Sequence, residues 1–344
     1  MSLQIKLFDY RNASDIEYKA YNDCRNQIRA ERLPDDPPIP LEEAIQGFKN
    51  YPDYIDLSLW AAWDERETSI MAYAMARLPL EDNLQLAQFV INVLPDFRRQ
   101  GLGRKFLSRI ADVATREKRK ILIAGTSVRI PAGEAFMERI GAERGLETHT
   151  NQLMIADLDG KSLDQWINRA SERAAGFEIG FWEGEYPEGD IDAIVDLYDL
   201  LNQQPFGDLA IEDFTFTAEQ LRQDEQSIFS RGYERWTLYV REKETGKFAG
   251  FTEVLSNPNR PKIIIQDMTG VFPEYRNNGL GRWLKAAMLE KILAERTEAV
   301  FVRTENADMN APMVKINTEL GFKPYIAESV WQLETSRVSE YLAE

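Results

Sequence analysis

The chain has 344 residues, enough for two domains of ordinary size, with 44% apolar and 28% charged residues and a net charge of −16. That acidity repels a phosphate backbone and argues against nucleic acid as a partner, and no apolar run reaches the length of a membrane span. One cysteine, Cys24, and one histidine, His149, exclude a disulfide framework and a histidine–cysteine metal cluster, so no metal is expected.

The first residues, MSLQIKLFDY, lack the apolar core of a signal peptide, and a cytoplasmic protein is expected. Alternation predicts a strand over Gln4–Phe8 and periodicity a helix from about Ala13 to Arg32, in which Cys24 reads as a packing residue beside Tyr21 and Ile28. Pro34, Pro37, Pro38 and Pro40 then force a stiff loop. A helix over Leu41–Tyr51 leads into strands over Leu57–Asp64, Ile70–Leu78 and Leu86–Val93. After a glycine turn and its helix come a strand over Ile121–Thr126, a helix from Gly133 to Ile140 ended by Gly141, and a strand over Gln152–Ala156. His149 reads as a strand surface residue, with no motif around it for a Ser–His–Asp mechanism.

Ser162–Ala175 reads as a linker helix, after which the pattern restarts. The later copy predicts a strand at Ile179–Trp182, a helix at Ile191–Leu201, a long loop at Gln203–Thr217, and strands at Tyr233–Arg241, Lys247–Leu255 and Ile263–Val271. A strand at Val300–Thr304, a helix at Asn310–Leu320 and a strand at Val330–Leu333 complete it. Tyr73 and Phe251, Pro95 and Pro273, Gly101 and Gly279, and Thr126 and Thr304 are each 178 residues apart, while Gly141 and Gly321 are 180 apart. A constant spacing across several elements marks a duplicated folding unit. The expected domains are residues 1–160, a linker at 161–176, and residues 177–344.

The most informative stretch is VFPEYRNNGLGRWL at Val271–Leu284, echoed as VLPDFRRQGLGRKFL at Val93–Leu107. Pro273 ends a strand, and Gly279 and Gly281 let the main chain turn tightly into a helix whose first N–H groups face one small space, a cradle for an anion. Leu280, Leu284 and Met288 give that helix a buried stripe, and Arg276 and Arg282 add positive charge. A dinucleotide fingerprint needs a third glycine where Leu284 and Phe106 stand, and neither copy has the Lys-Ser/Thr end of a nucleoside-triphosphate loop. For one copy alone, a plain pair of turn glycines would be an equal reading; two copies favour a phosphate site.

Arg276-Asn277-Asn278-Gly279-Leu280-Gly281 and Arg98-Arg99-Gln100-Gly101-Leu102-Gly103 resemble the Arg/Gln-x-x-Gly-x-Gly/Ala loop of the GNAT superfamily of acyl-CoA-dependent N-acyltransferases. Leu320-Gly321-Phe322 resembles the family's Leu-Gly-Phe after its last helix. The resemblance spans nearly the whole chain as two copies, as in mycothiol synthase-like tandem members. It implies two α+β, layered α/β/α domains, each a mixed, mostly antiparallel sheet flanked by helices. It also implies acetyl-CoA as co-substrate, held by Val271, Arg276, Asn277, Asn278, Gly279, Leu280, Gly281, Arg282, Asn306 and Asn310. In the earlier copy the corresponding set is Val93, Arg98, Arg99, Gln100, Gly101, Gly103 and Arg104. The main-chain N–H of Val271, or of Val93, would hold the thioester carbonyl.

The copies differ in what remains. Asp267 stands in the later central strand, aligned by the constant spacing with Phe89, and is a candidate base for the amine proton, or else a polar residue on a solvated face. Thr304, Asn306 and Asn310 follow the next strand, where the earlier copy has Arg129, Ile130 and Pro131; Asn310 is equally a helix cap. Many family members have a tyrosine as general acid where this chain has Asn317 and, earlier, Met137, so Asn317 is the candidate donor to the leaving sulfur. The later half is therefore expected to be catalytic and the earlier degenerate. An N-acetyltransferase acting on a primary amine of a small molecule or an amino terminus is the first reading, and a non-catalytic coenzyme A-binding sensor or scaffold is the second. A monomer or homodimer is expected.

Overall fold

The computed structural model describes residues 3–343. Its first elements are β1 (Gln4–Leu7), α1 (Asp15–Arg32), α2 (Leu41–Lys49), β2 (Ile55–Trp63), β3 (Ile70–Pro79), β4 (Leu86–Val93) and α3 (Leu102–Arg116). There follow β5 (Ile121–Ser127), α4 (Pro131–Arg139), β6 (Glu143–Met154), α5 (Gly160–Arg173), β7 (Phe177–Glu183), α6 (Ile191–Tyr198), α7 (Ala218–Ser230) and β8 (Glu234–Glu242). The last are β9 (Phe248–Ser256), β10 (Ile263–Val271), α8 (Leu280–Glu295), β11 (Phe301–Ala307), α9 (Ala311–Leu320), β12 (Lys323–Glu334) and α10 (Thr335–Ala343).

Two compact units emerge, and they are not the contiguous halves expected at 1–160 and 177–344. Unit one comprises Met1–Glu147, Phe206–Asp213 and Ile326–Glu344; unit two comprises Thr148–Pro205 and Phe214–Tyr325. The cause is an exchange of closing strands. In unit one the strands run β1-β2-β3-β4-β5-β12, and Glu328–Glu334 of β12 pair antiparallel with Ser127–Ile121 of β5. In unit two they run β7-β8-β9-β10-β11-β6, and Thr148–Met154 of β6 pair antiparallel with Ala307–Phe301 of β11. Each unit thus takes its sixth strand from the other copy of the repeat. The helix expected as a linker, α5, belongs to unit two, where Leu163 packs into the core with Leu284 and Met288 of α8.

Each sheet is covered on both faces. In unit one the small residues Ala72, Ala74 and Ala76 lie under Phe106, Leu107 and Ile110 of α3, joined by Val338 of α10. On the opposite face Leu59, Tyr73 and Met75 lie under Tyr21 and Ile28 of α1 and Phe48 of α2. In unit two α8 and α5 cover one face, and Leu197 and Leu200 cover Phe251 on the other. Burying such side chains contributes about 1.5–3 kcal/mol each, which fixes the register of strands whose side chains alternate between faces. Capping boxes start two of the helices: Ser14 with Glu17 at α1, and Thr217 with Gln220 at α7.

The repeat register is not constant, which corrects the sequence alignment. Ala72 pairs with Val93 as Gly250 pairs with Val271, a spacing of 178. At the other end of the same strands Leu86 pairs with Ile121 as Ile263 pairs with Phe301, spacings of 177 and 180. β10 therefore has one residue more than β4, absorbed by a bulge between Gln266 and Thr269. Phe89 corresponds to Gln266, both of them 4% exposed, and Asp267 is the added residue with no counterpart. Thr126 corresponds to Asn306, not Thr304, because two residues are inserted before β11.

Candidate active site

In unit two, β10 and β11 run parallel only from Ile263–Ile265 and Phe301–Arg303, after which they part. Into the gap opens a cleft of about 1240 Å³, walled by Leu200 and Gln203–Pro205 on one side, by the turn Arg276–Arg282, and by α5 and α9 residues. Phe272 donates its N–H to Ala249 O, so strand alternation turns the N–H and C=O of Val271 toward the gap. Leu200 closes over β10 at Gly270, where a Cβ would lie 2.8 Å from Leu200 Cδ1.

The glycine turn has the geometry that an anion cradle needs. Gly279 has φ +81° at the N-cap of α8, and Asn277 also has positive φ, 68°. A side chain other than glycine is strained at such a φ. Asn278 ties the turn by donating to Tyr275 O at 3.1 Å. Arg276 fastens the strand end, donating from Nε to Val271 O at 3.1 Å and from a terminal nitrogen to Gln203 Oε1 at 2.5 Å. Arg282 forks onto Glu319 at 2.8 and 3.0 Å and lies over the Trp166 ring. Arg276 thus has no carboxylate partner among the described residues, and neither do the other rim cations Arg169 and Arg173 of α5 and Lys315 of α9. Arg169 and Arg173 escape the sequence reading because α5 reads as a linker, and Lys315 because no motif surrounds it.

Asp267 stands at the bulge, beside the parting strands. Its carboxyl makes no hydrogen bond among the described residues and is open to solvent. The protein mass around it nevertheless pushes it up to about 7, Glu253 adds to the rise by repulsion, and Arg235 opposes it. Behind it lies a buried polar cluster. Tyr186 donates to Glu253 at 2.5 Å, Thr237 donates to Glu253 at 3.1 Å, and the Tyr186 and Tyr198 hydroxyls meet at 3.2 Å. Arg235, 2% exposed, donates to Gly184 O at 2.9 Å, pairs with Glu225, stands 3.7 Å from Glu253, and stacks 3.6 Å over the Tyr186 ring. Sequence reasoning missed this cluster, although Glu253 within the apolar run FAGFTEVLS was a signal.

The other expected residues divide. Asn310 caps α9, accepting from Met313 N at 3.4 Å, and also faces the cleft. Asn317 is 2% exposed, with Oδ1 accepting from Lys285 Nζ at 2.6 Å and Nδ2 donating to Asn306 Oδ1 at 2.6 Å. Both ends of its amide are therefore committed inside the fold. Burial lowers Lys285 to about 7. His149, expected on a strand surface, does lie in β6 and meets Asp308 at 2.6 Å.

In unit one the same turn is engaged internally. Arg99 and Gly101 repeat the positive φ values, at 60° and 82°, and Arg98 donates to Val93 O at 3.0 Å while forking onto Glu31. Gln100 donates to Asp96 O at 2.9 Å. Arg104 donates to Leu342 O at 2.7 Å and covers Tyr341. The Phe136 ring would lie 3.1 Å from a Cβ on Gly103, whereas the equivalent point at Gly281 is 3.7 Å from Ile316. The space before that cradle is correspondingly narrower.

The profile of the Acetyltransferase (GNAT) family matches residues 21–142 and 194–322, and the chain belongs to that family, with two copies of its fold. A tandem GNAT protein from the clavulanic acid biosynthesis pathway is similar over 97% of this chain and 99% of its own, at TM-score 0.76 and 22% identity. A GCN5-related N-acetyltransferase from Sphaerobacter thermophilus superposes over 96% and 97% of the two chains, at TM-score 0.64 and 14% identity. At these identities the likeness concerns the fold. No curated protein matches. Among the described residues no helix is long and apolar enough to cross a membrane, and no three His, Cys, Asp or Glu side chains are grouped to hold a metal.

Proposed function

We propose that unit two is an acetyl-CoA-dependent N-acetyltransferase acting on a primary amine, with Asp267 as the base. The observation that carries this reading is the conjunction of an unpaired carboxyl near pKa 7 with an open glycine cradle on the same parted strands. The cleft fits the coenzyme: the turn amides of Asn278–Gly281 and the rim cations Arg169, Arg173 and Lys315 suit its phosphates, and Gly281 leaves room beside Ile316. A bound thioester supplies an activated acyl carbon and a thiol leaving group.

The residues then divide the remaining work. Val271 N–H, aimed into the gap, suits a carbonyl oxygen that gains charge. Asp267, ionised on the alkaline side of about 7, takes the proton from the attacking amine, and the negative cluster behind it attracts an ammonium. Asn317 is not given the acid's role, since its amide is committed to Lys285 and Asn306. A thiol with an ordinary pKa of about 8.5 departs without strong acid help.

The commitment of Asn317 also favours the second reading, a coenzyme A-binding sensor, because it leaves that position without a donor for the sulfur. Thiol release from acetyl-CoA with a panel of small amines separates the two. Turnover that Asp267→Asn abolishes supports the enzyme. Tight acetyl-CoA binding with no turnover on any amine supports the sensor, and no binding at millimolar coenzyme removes both.

A further inference from the structure

Unit one contains a recess of about 340 Å³ on the sheet face that lies under α1 and α2, the face that carries Glu253 in unit two. Its outer wall is built from Phe206, Leu209 and Ile211. That wall is firmly fixed. Glu212 N–H donates to Asn83 Oδ1 at 2.7 Å, Ala210 N–H to Gln332 Oε1 at 2.8 Å, and Asp208 N–H to Gly145 O at 2.9 Å. Leu209 lies so close to Gly145 that a Cβ there would come within 2.4 Å of it.

Two features of the lining bear on what the recess would hold. Arg77, on its wall, is half-buried, and its guanidinium donates to the Met75 sulfur at 3.9 Å. Among the described residues no carboxylate pairs with it, in a chain whose net charge is −16. A half-buried guanidinium with only a weak sulfur acceptor gains from an anion that reaches it. Gly125, in mid-strand on β5, also lines the recess, and a Cβ there would meet nothing within 4 Å. Gly125 is exposed, so this part of the strand is open to the recess and not packed against protein.

The repeat shows what kind of molecule fits. Pairing equates Met75 with Glu253, Arg77 with Leu255 and Gly125 with Glu305, and Asp267 has no equivalent. The arginine that partly offsets those acids, Arg235, corresponds to Leu57. Where unit two offers carboxylates to an amine, unit one offers apolar walls and one cation.

We propose that unit one binds a small monocarboxylate with an apolar body, its carboxylate on Arg77 and its hydrocarbon under Phe206, Leu209 and Ile211. An ammonium would be repelled there, and a polyanionic phosphate ester would leave most of its charge against apolar side chains. This site is separate from the proposed catalytic one.

Calorimetric titration of the full chain, with coenzyme A at saturation to fill unit two, tests it using hexanoate, phenylacetate and the uncharged hexanamide. One carboxylate should bind per chain, with hexanamide weaker by roughly tenfold or more, the usual scale for a charge-assisted pair. Arg77→Met should erase the difference between hexanoate and hexanamide, and Gly125→Phe, which fills the recess with a ring, should abolish binding of both. The proposal is overturned if neither carboxylate binds at about 10 mM, a millimolar-range limit, if hexanamide binds as well as hexanoate, or if Gly125→Phe binds like the parent. Should Arg77→Met fail to fold, the acid–amide comparison and Gly125→Phe decide alone.

Discussion

Asp267 shares with Met268 the position opposite a single residue, Glu253, across the β9–β10 pair. The bulge turns the Asp267 carboxyl out of the ladder while keeping it near a second, buried carboxyl that repels its charge.

A pH–rate profile follows from this pair. Activity should rise through about pH 7 as Asp267 ionises. Asp267→Asn should lower kcat by roughly 10²–10⁴-fold, the range for loss of a general base, and leave the affinity for acetyl-CoA unchanged. Because Glu253 raises the Asp267 pKa, Glu253→Gln should move the acidic limb to lower pH. A limb that stays in place in Asp267→Asn would assign the titration to another group.

Coenzyme stoichiometry tests the difference between the two cradles. Gly279 and Gly101 share a φ near +80°, so Val at either strains the backbone by about 1–2 kcal/mol. Gly279→Val should weaken coenzyme A binding by roughly 100-fold, as expected for a disturbed phosphate turn, and Gly101→Val by less than about twofold. Calorimetry on the parent should show one coenzyme per chain; two equal sites would mean that Phe136 yields.

Buried Lys285 gives stability a pH dependence of known sign. Its folded pKa, about 7, lies below the unfolded value of about 10.4, so between these the unfolded chain binds more protons. Its contribution therefore improves as pH rises from about 7 toward 10 and worsens as pH falls to 7. Urea midpoints at pH 7 and 9.5 should show that slope, and Lys285→Met should reduce it. An unchanged slope would mean that the ammonium keeps its charge inside the fold.

The exchange of closing strands predicts that the repeat cannot be cut in two. A fragment of residues 1–160 lacks the strand partner Glu328–Glu334 for β5 and lacks α10, leaving apolar residues of α3 uncovered. Expressed alone it should aggregate or stay partly unfolded by circular dichroism, and co-expression with residues 161–344 should recover a soluble complex. A stable monomeric 1–160 would show that β12 is dispensable.

Much of this was legible beforehand. Pro273, Gly279 and Gly281 specify a strand end, a left-handed turn and a helix start by local chemistry alone, and the structure has all three. What escaped depends on partners far away in sequence. One exception is local: Thr217 reads as the end of a loop, although Thr217 and Gln220 are spaced as a capping box for the helix that follows. The extra residue in β10 is invisible to a spacing count, since turn residues on either side keep 178, and only pairing partners reveal that Asp267 has no twin. Trp166, Arg169 and Arg173 read as linker because nothing within α5 says which surface it will meet. Asn317 was assigned by position, and its burial beside Lys285 follows from α8 packing on α9.

Because β5 is completed by Glu328–Glu334, the earlier half of the polypeptide cannot finish its sheet while the later half is still being made. At ordinary elongation speeds of about 5–20 residues per second, roughly ten to forty seconds separate the synthesis of those two segments. Throughout that interval a nascent chain carries an open β5 edge. Emergence of Glu328–Glu334, and not the completion of the first copy of the repeat, is the event that closes that sheet.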